Sequence, residues 1–288
     1  MGAMDQPNPH AARLRALDPA ADDAEVAAAV VAAAAELAAR MRADGLDTEY
    51  KTSVSDVVTA ADRAAEELVV SALARLRPAD GILGEEGSAK ASASGRTWVV
   101  DPVDGTYNFT AGSDYWCSAV ALVEGPAEDP DRLLLGAVHR AAGDAGWVGG
   151  PGAPTVTSRP GADGVRRTRA LPGVAAAAPE RMCAATYLHG THFGPGAGAA
   201  DAALARRWTT ATGRFATWRV LGSASLDLAG VAEGRLGAWF QHSVAPWDWL
   251  PGFALVAGAG GAGDLAGGWR IAGAPATVRT LGGILGAD

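Results

Sequence analysis

From Trp98 to Phe109 the chain reads WVVDPVDGTYNF, and few backbones meet every demand in that run. Trp98-Val99-Val100 is short, apolar and β-branched, which predicts a buried strand. Asp101 follows it and is kept out of helical geometry by Pro102. Asp104 comes three residues later, just before Gly105 and Thr106. The strand must therefore end in a tight turn that carries two carboxylates toward one point. Holding them there costs Coulomb repulsion unless a cation intervenes. Donors that are all oxygen favour Mg²⁺, Ca²⁺ or Mn²⁺ over Zn²⁺. Asp-Gly-Thr also predicts the start of a short helix, whose free N–H groups attract anions. The competing reading is an Asx-type turn with no ligand.

Two further acidic positions sit where turns are expected. Gly84-Glu85-Glu86-Gly87-Ser88 follows the apolar pair Ile82-Leu83, at the end of another short strand. A pair of solvated surface glutamates would look the same. Trp247-Asp248-Trp249 follows Pro246 and precedes a helix expected over 250–259. Read alone, Asp248 is a helix cap more readily than a ligand.

The rest of the chain predicts helices packed on a sheet. Asp22 or Asp23 caps an Ala-rich helix running to about Arg42 and stopped by Gly45. Its apolar stretch is broken by Glu25, Glu36 and Arg40, so it is read as a soluble helix and not a membrane span. A second helix covers 60–76. Short strands follow over 81–83, 97–100, 118–123, 133–138 and 145–149, the last entering a hairpin turn. Residues 158–172 are Arg-rich and read as a solvated loop. Beyond it, helices over 200–210, 223–233 and 250–259 alternate with a strand over 236–240. The expected division is a loose leader over 1–20, an N-terminal α+β half over 21–165 with most ligands, and a C-terminal α/β half over 166–288. The fold class is α+β.

Composition narrows the function. The 288 residues include 49% hydrophobic and 19% charged residues, enough for a large packed core. A net charge of −8 argues against nucleic-acid binding, which needs a basic face. It also means that a phosphate-bearing substrate needs local positive charge. Cys117 and Cys183 form no metal-binding pair and suit free thiols in a reducing compartment. No basic segment followed by an apolar one opens the chain, so a cytoplasmic location is expected.

Taken in order, the motifs resemble the inositol monophosphatase family. Lys51 to Asp62 reads KTSVSDVVTAAD; then come Gly84-Glu85-Glu86, the Trp98–Phe109 run, Gly222-Ser223-Ala224, Trp247-Asp248 and Gly260-Gly261. The resemblance implies a layered α-β-α-β-α sandwich of the sugar-phosphatase type, assembled as a homodimer. It implies Mg²⁺-dependent, lithium-sensitive hydrolysis of a small soluble phosphomonoester, with two or three ions per site. Glu85, Asp101 and the Val103 carbonyl would hold one ion; Asp101, Asp104 and Asp248 would hold the second; Glu85 would touch a third. Asp62 and Thr106 would orient the attacking water, and the Gly105 and Thr106 N–H groups would grip the phosphate. Lys51 falls in the family's mobile loop. Asp104, Ala224, Gln241 and Asp248 would line the sugar end of the pocket.

One position departs from the family pattern. Gln241 stands where inositol-phosphate enzymes carry Glu, so it offers hydrogen bonds to hydroxyls but no charge to an ammonium group. Histidinol phosphate, fructose 1,6-bisphosphate and 3′-phosphoadenosine 5′-phosphate stay open as substrates on the same fold. A non-catalytic, metal-binding regulatory protein is the reading of another class. Trp247 and Trp249 are placed to wall the pocket, and His242 either reaches the substrate or lies on the surface. His189 and His192 read as loop residues.

Overall fold

The computed structural model describes residues 9–45, 48–50 and 57–287. Lys51 lies outside the described residues. The chain opens with α1 (Pro9–Ala16), α2 (Asp23–Asp44), the short strands β1 (Thr48–Tyr50) and β2 (Val57–Thr59), and α3 (Ala60–Leu76). Asp22 caps α2 by accepting a hydrogen bond from the Glu25 N–H at 2.7 Å, and Gly45 ends it with φ of 107°. Thr59 opens α3 through a capping box with Asp62.

Residues 9–16, expected within a loose leader, instead form a docked helix. Leu14 is buried against α2 and α3. Arg75 of α3 donates to the carbonyls of Leu14 (2.8 Å) and Leu17 (3.1 Å) at the end of α1. A single apolar anchor leaves no periodic trace in so short a segment.

The first sheet is built from β3 (Gly81–Gly84), β4 (Ala89–Lys90), β5 (Arg96–Asp104), β6 (Cys117–Glu124), β7 (Arg132–Arg140), β8 (Ala145–Gly150), β9 (Ala153–Pro160) and β10 (Arg166–Ala170), with α4 (Thr106–Thr110) between β5 and β6. Its order is β10-β9-β8-β7-β6-β5-β3-β4. Every pair is antiparallel except β3 with β5. The Arg-rich stretch over 158–172 is therefore a hairpin that extends this sheet through Ala170. As an edge strand, β10 needs no apolar face, and its arginines discourage pairing with another chain.

The second half contributes β11 (Cys183–Tyr187), α5 (Ala199–Thr212), β12 (Thr217–Arg219), α6 (Ala224–Ala232), β13 (Ala238–His242), α7 (Pro246–Gly258), β14 (Ala262–Ala266), β15 (Trp269–Gly273) and α8 (Pro275–Leu285). Its strands form a second, mixed sheet in the order β12-β11-β13-β15-β14.

Side-chain alternation reveals the layering. In β6, Val120 and Leu122 face α2 and α3, while Ala119, Ala121 and Val123 face α6 and α7. In β13, Trp239 points back to that same α6–α7 core, while Ala238 and Phe240 join α5 and α8. The molecule is an α-β-α-β-α sandwich. Its spacing relies on small residues: a Cβ on Gly136 would overlap the Pro251 carbonyl of α7.

Candidate metal centre

In a regular strand, residues three apart point to opposite faces. Asp101 and Asp104 escape this because the β5–β6 register shifts between them: Asp101 pairs with Ala119 and Asp104 with Cys117. The Ser118 hydroxyl donates to the Pro102 carbonyl at 2.6 Å and holds this bulge. Asp248 arrives from α7. It does not cap that helix, as Asp248 read alone would; Ala245 is the N-cap, and Asp248 is the third helical residue. The Ala245 N–H bonds its carboxylate.

Oxygens of Asp101, Asp104 and Asp248 lie within 4.8 Å of one another. Asp101 is 1% exposed, and its Oδ1 is buried without a hydrogen-bond partner. Burial first, then the charges of Glu85, Asp104 and Asp248, pushes its carboxyl well above the usual range. Asp248 is pushed up to about 7 by burial and by Asp104. Burial also raises Asp104, although the Ser225 and Ala224 N–H groups pull it back. A buried oxygen with no partner, among acids that repel one another, is the environment a cation relieves. The all-oxygen donor set suits a hard divalent ion.

Asp62 is fully buried beside this cluster. Its Oδ2 accepts from the Thr59 N–H at 2.9 Å and from the Thr59 hydroxyl, and its Oδ1 lies 3.1 Å from the donating Thr106 hydroxyl. That hydroxyl also reaches the Val103 carbonyl at 2.9 Å. Gly105 adopts φ of 96°, and a Cβ there would fall 2.8 Å from the Gly222 carbonyl, so glycine is required.

Glu85 reaches the cavity from the turn after β3, where its N–H bonds the Val100 carbonyl at 3.1 Å. Sequence reasoning missed what holds that turn. Glu66 of α3, 3% exposed, accepts from the Glu86 N–H and the Ser88 N–H, each at 2.9 Å. Its carboxylate occupies the space a Cβ on Gly84 would need. A glutamate bordering the apolar stripe of α3, beside Ala65 and Val69, was the available signal.

The cavity above the cluster has a volume of about 580 Å³ and is lined by Glu85, Asp101, Val103, Asp104, Gly105, Thr106, Ala224, Gln241 and Asp248, all named from sequence. Tyr187, Val220 and Asp227 also line it and were not anticipated. Asn108 donates to the carbonyls of Tyr115 (2.9 Å) and Leu221 (2.7 Å), tying α4 to the far wall. Asp227 accepts from the Tyr115 hydroxyl at 2.7 Å, and burial pushes its carboxyl up to about 8. Among the described residues, no Lys, Arg or His lines the cavity.

Trp247 and Trp249 do not wall it. Trp249 stacks on Phe253 at 4.4 Å, and Trp247 packs on the core between the sheets. Strand alternation sends His242 away from Gln241 and onto Trp269, with ring centroids 5.2 Å apart. His189 caps a short 3-10 turn whose last residue is His192, and His192 bonds Asp201 at 2.8 Å.

The inositol monophosphatase family model matches residues 20–286. An inositol-1-monophosphatase of Mycobacterium leprae is 36% identical over 228 residues, 76% of this chain and 71% of that protein. A histidinol-phosphatase of Mycobacterium tuberculosis is 45% identical over 104 residues, 36% of this chain and 40% of that one. The crystal structure of the extragenic suppressor protein suhB from Bartonella henselae superposes with a TM-score of 0.74 at 24% identity, covering 89% of this chain and 95% of that one.

Proposed function

Since the chain belongs to the inositol monophosphatase family, we propose that it hydrolyses a small phosphomonoester with Mg²⁺ held in the carboxylate pocket. One observation carries this reading. The cavity joins buried carboxylates to a wall without a cationic side chain among the described residues, an arrangement in which bound cations would supply the positive charge that a phosphate needs.

Glu85, Asp101 and the Val103 carbonyl would hold one ion, and Asp101, Asp104 and Asp248 another, with Glu85 the contact for any third. When bound, Mg²⁺ neutralises the acids, stabilises charge on the phosphate and leaving oxygens, and makes water more acidic. The chain's own groups do the positioning. Asp62 takes the Thr106 hydroxyl proton as a hydrogen bond, which turns a Thr106 lone pair outward to accept from the attacking water. The Gly105 and Thr106 N–H groups face the phosphate oxygens. No side chain need become phosphorylated.

For the rest of the substrate, Gln241 offers an amide and Asp227 a carboxyl that burial pushes up to about 8, toward its neutral form. Away from the metal cluster the pocket therefore suits hydroxyls better than an ammonium group. This favours a polyol phosphate such as inositol 1-phosphate over histidinol phosphate.

The test is phosphate release from inositol 1-phosphate, histidinol phosphate, fructose 1,6-bisphosphate and 3′-phosphoadenosine 5′-phosphate, with Mg²⁺, with chelator and with millimolar Li⁺. The expected result is fastest release from the polyol ester, lost in chelator and slowed by Li⁺. Release that persists in chelator would sink the metal reading; fastest release from histidinol phosphate would sink the reading of Gln241. The same proposal places the chain in the cytoplasm as a homodimer, the latter checked by light scattering. Among the described residues, no helix is long and apolar enough to cross a membrane.

Glu66 provides a second check. Glu66→Gln leaves one acceptor for two backbone donors, so the Glu85 turn loosens. A misplacement of about 1 Å at a site of this kind costs up to ~10²-fold. Turnover is expected to fall by about that factor, with weaker Mg²⁺ activation. An unchanged Mg²⁺ titration would show that Glu66 does not position Glu85.

A further inference from the structure

A second cluster of metal-ligating side chains lies on the opposite face of the first sheet, among α1, α2 and the β7–β8 turn. His10 comes from α1, His139 from the end of β7, and Asp144 from the turn itself. Their ligand atoms lie within 4.8 Å of one another. Asp144 Oδ1 is 3.0 Å from His10 Nε2 and 3.2 Å from His139 Nε2. Two ligand atoms of a tetrahedral site with bonds of ~2.0 Å stand about 3.3 Å apart, so both oxygen–nitrogen separations are close to those of a tetrahedral site, and the two nitrogens lie within 4.8 Å of each other.

The surroundings support the same geometry. His139 is 4% exposed, and His10 and His139 both line a cavity of about 70 Å³ shared with Ala28, Ala32 and Trp147. Arg166 pairs with the other oxygen, Asp144 Oδ2, and also reaches the Asp144 carbonyl at 3.3 Å. That pairing fixes the carboxylate and leaves Oδ1 to face the two imidazoles, as outer partners do around a metal ligand. Arg13, the other cation on the cavity, leans toward Glu25 at 3.7 Å.

We propose that His10, His139 and Asp144 form a zinc site, separate from the carboxylate pocket, that clamps α1 to the β7–β8 turn. Two imidazole nitrogens and one carboxylate oxygen suit Zn²⁺, whereas Mg²⁺ favours oxygen ligands alone. The fourth position opens on the small cavity, which has room for water. The ion ties the N-terminal helix to the sheet without touching the residues proposed for hydrolysis. The competing arrangement is a hydrogen-bonded clasp, in which both Nε2 atoms carry protons and donate to Asp144 Oδ1.

The experiment is Zn²⁺ binding to the full chain in excess Mg²⁺, followed by calorimetry and by X-ray absorption at the zinc edge. The expected result is one Zn²⁺ per chain that Mg²⁺ does not displace, with two imidazole nitrogens in its shell and a raised melting temperature. His10→Ala and Asp144→Asn should each weaken binding by at least about a hundredfold. Asp101→Asn should leave it unchanged, and His10→Ala should keep Mg²⁺-supported phosphate release. Zinc binding that survives His10→Ala, or disappears in Asp101→Asn, would place the ion in the carboxylate pocket and overturn the proposal. Folded wild-type chain that binds no Zn²⁺ would leave only the clasp. Because zinc is read by spectroscopy and stability, failure here and failure to hydrolyse phosphate are separate results.

Discussion

Asp101→Asn is expected to abolish phosphate release and, in chelator, to raise the melting temperature. Both effects come from one oxygen. Asp101 Oδ1 is buried without a partner, and the carboxyl is crowded by Glu85, Asp104 and Asp248. Asparagine has nearly the same shape and is neutral without having to take up a proton, which the crowded, buried carboxyl must do or else hold a strained charge. Without metal, each pKa unit by which the folded state raises such a carboxyl costs about 1.4 kcal/mol, so removing it is expected to raise the melting temperature by several degrees in a chain of this size. With Mg²⁺ the order reverses, because wild type gains the free energy of ion binding and the variant has lost a ligand. Turnover should fall by on the order of 10³-fold or more. Thermal unfolding of both proteins in chelator and in Mg²⁺, with a phosphate-release assay, checks every part. A variant less stable than wild type in chelator would show that the carboxylates do not strain the fold.

Asp104→Asn should lose turnover to a similar extent but with the opposite effect on stability. Both Asp104 oxygens are engaged. Oδ1 accepts from the Ala224 N–H at 3.1 Å and Oδ2 from the Ser225 N–H at 2.5 Å, at the start of α6. An amide has one acceptor, so its NH₂ would meet a backbone N–H head-on. A buried donor left without a partner costs about 1–3 kcal/mol. The helix start also loses a favourable negative charge. In chelator, Asp104→Asn should therefore melt below wild type and Asp101→Asn above it, although each removes one carboxylate from one cluster. Equal shifts would mean that the hydrogen bonds to α6 contribute little.

The parts of the fold that were legible in the sequence are those where local chemistry and tertiary packing agree. Asp22 and Gly45 bracket α2, the apolar spacing over 60–76 gives α3, and Pro102 with Gly105 shapes the end of β5. The carboxylates of the site follow from that turn. What escaped depends on distant partners. α1 is held by Leu14 and by an arginine of α3, and neither leaves a pattern in residues 9–16. β10 is an edge strand made largely of arginine, so its alternation carries no hydrophobic signal. Glu66 showed itself only by bordering the apolar stripe of α3, and nothing local says that its partner is the Glu85 turn; only the fold brings the two together. Trp247 and Trp249 flank an aspartate of the site, yet a helix sends neighbours in different directions, and the core took both rings.

Apart from Asp248, the groups proposed for chemistry lie between Asp62 and Thr106, on the first sheet and the helix beside it. The far wall of the cavity, with Tyr187, Val220 and Gln241, is supplied by the second half of the chain. Under the proposed function, hydrolysis and choice of substrate are thus written in different stretches of sequence. Exchanges at the ends of β11 and β13 would alter what the cavity accepts while the carboxylate cluster stays intact.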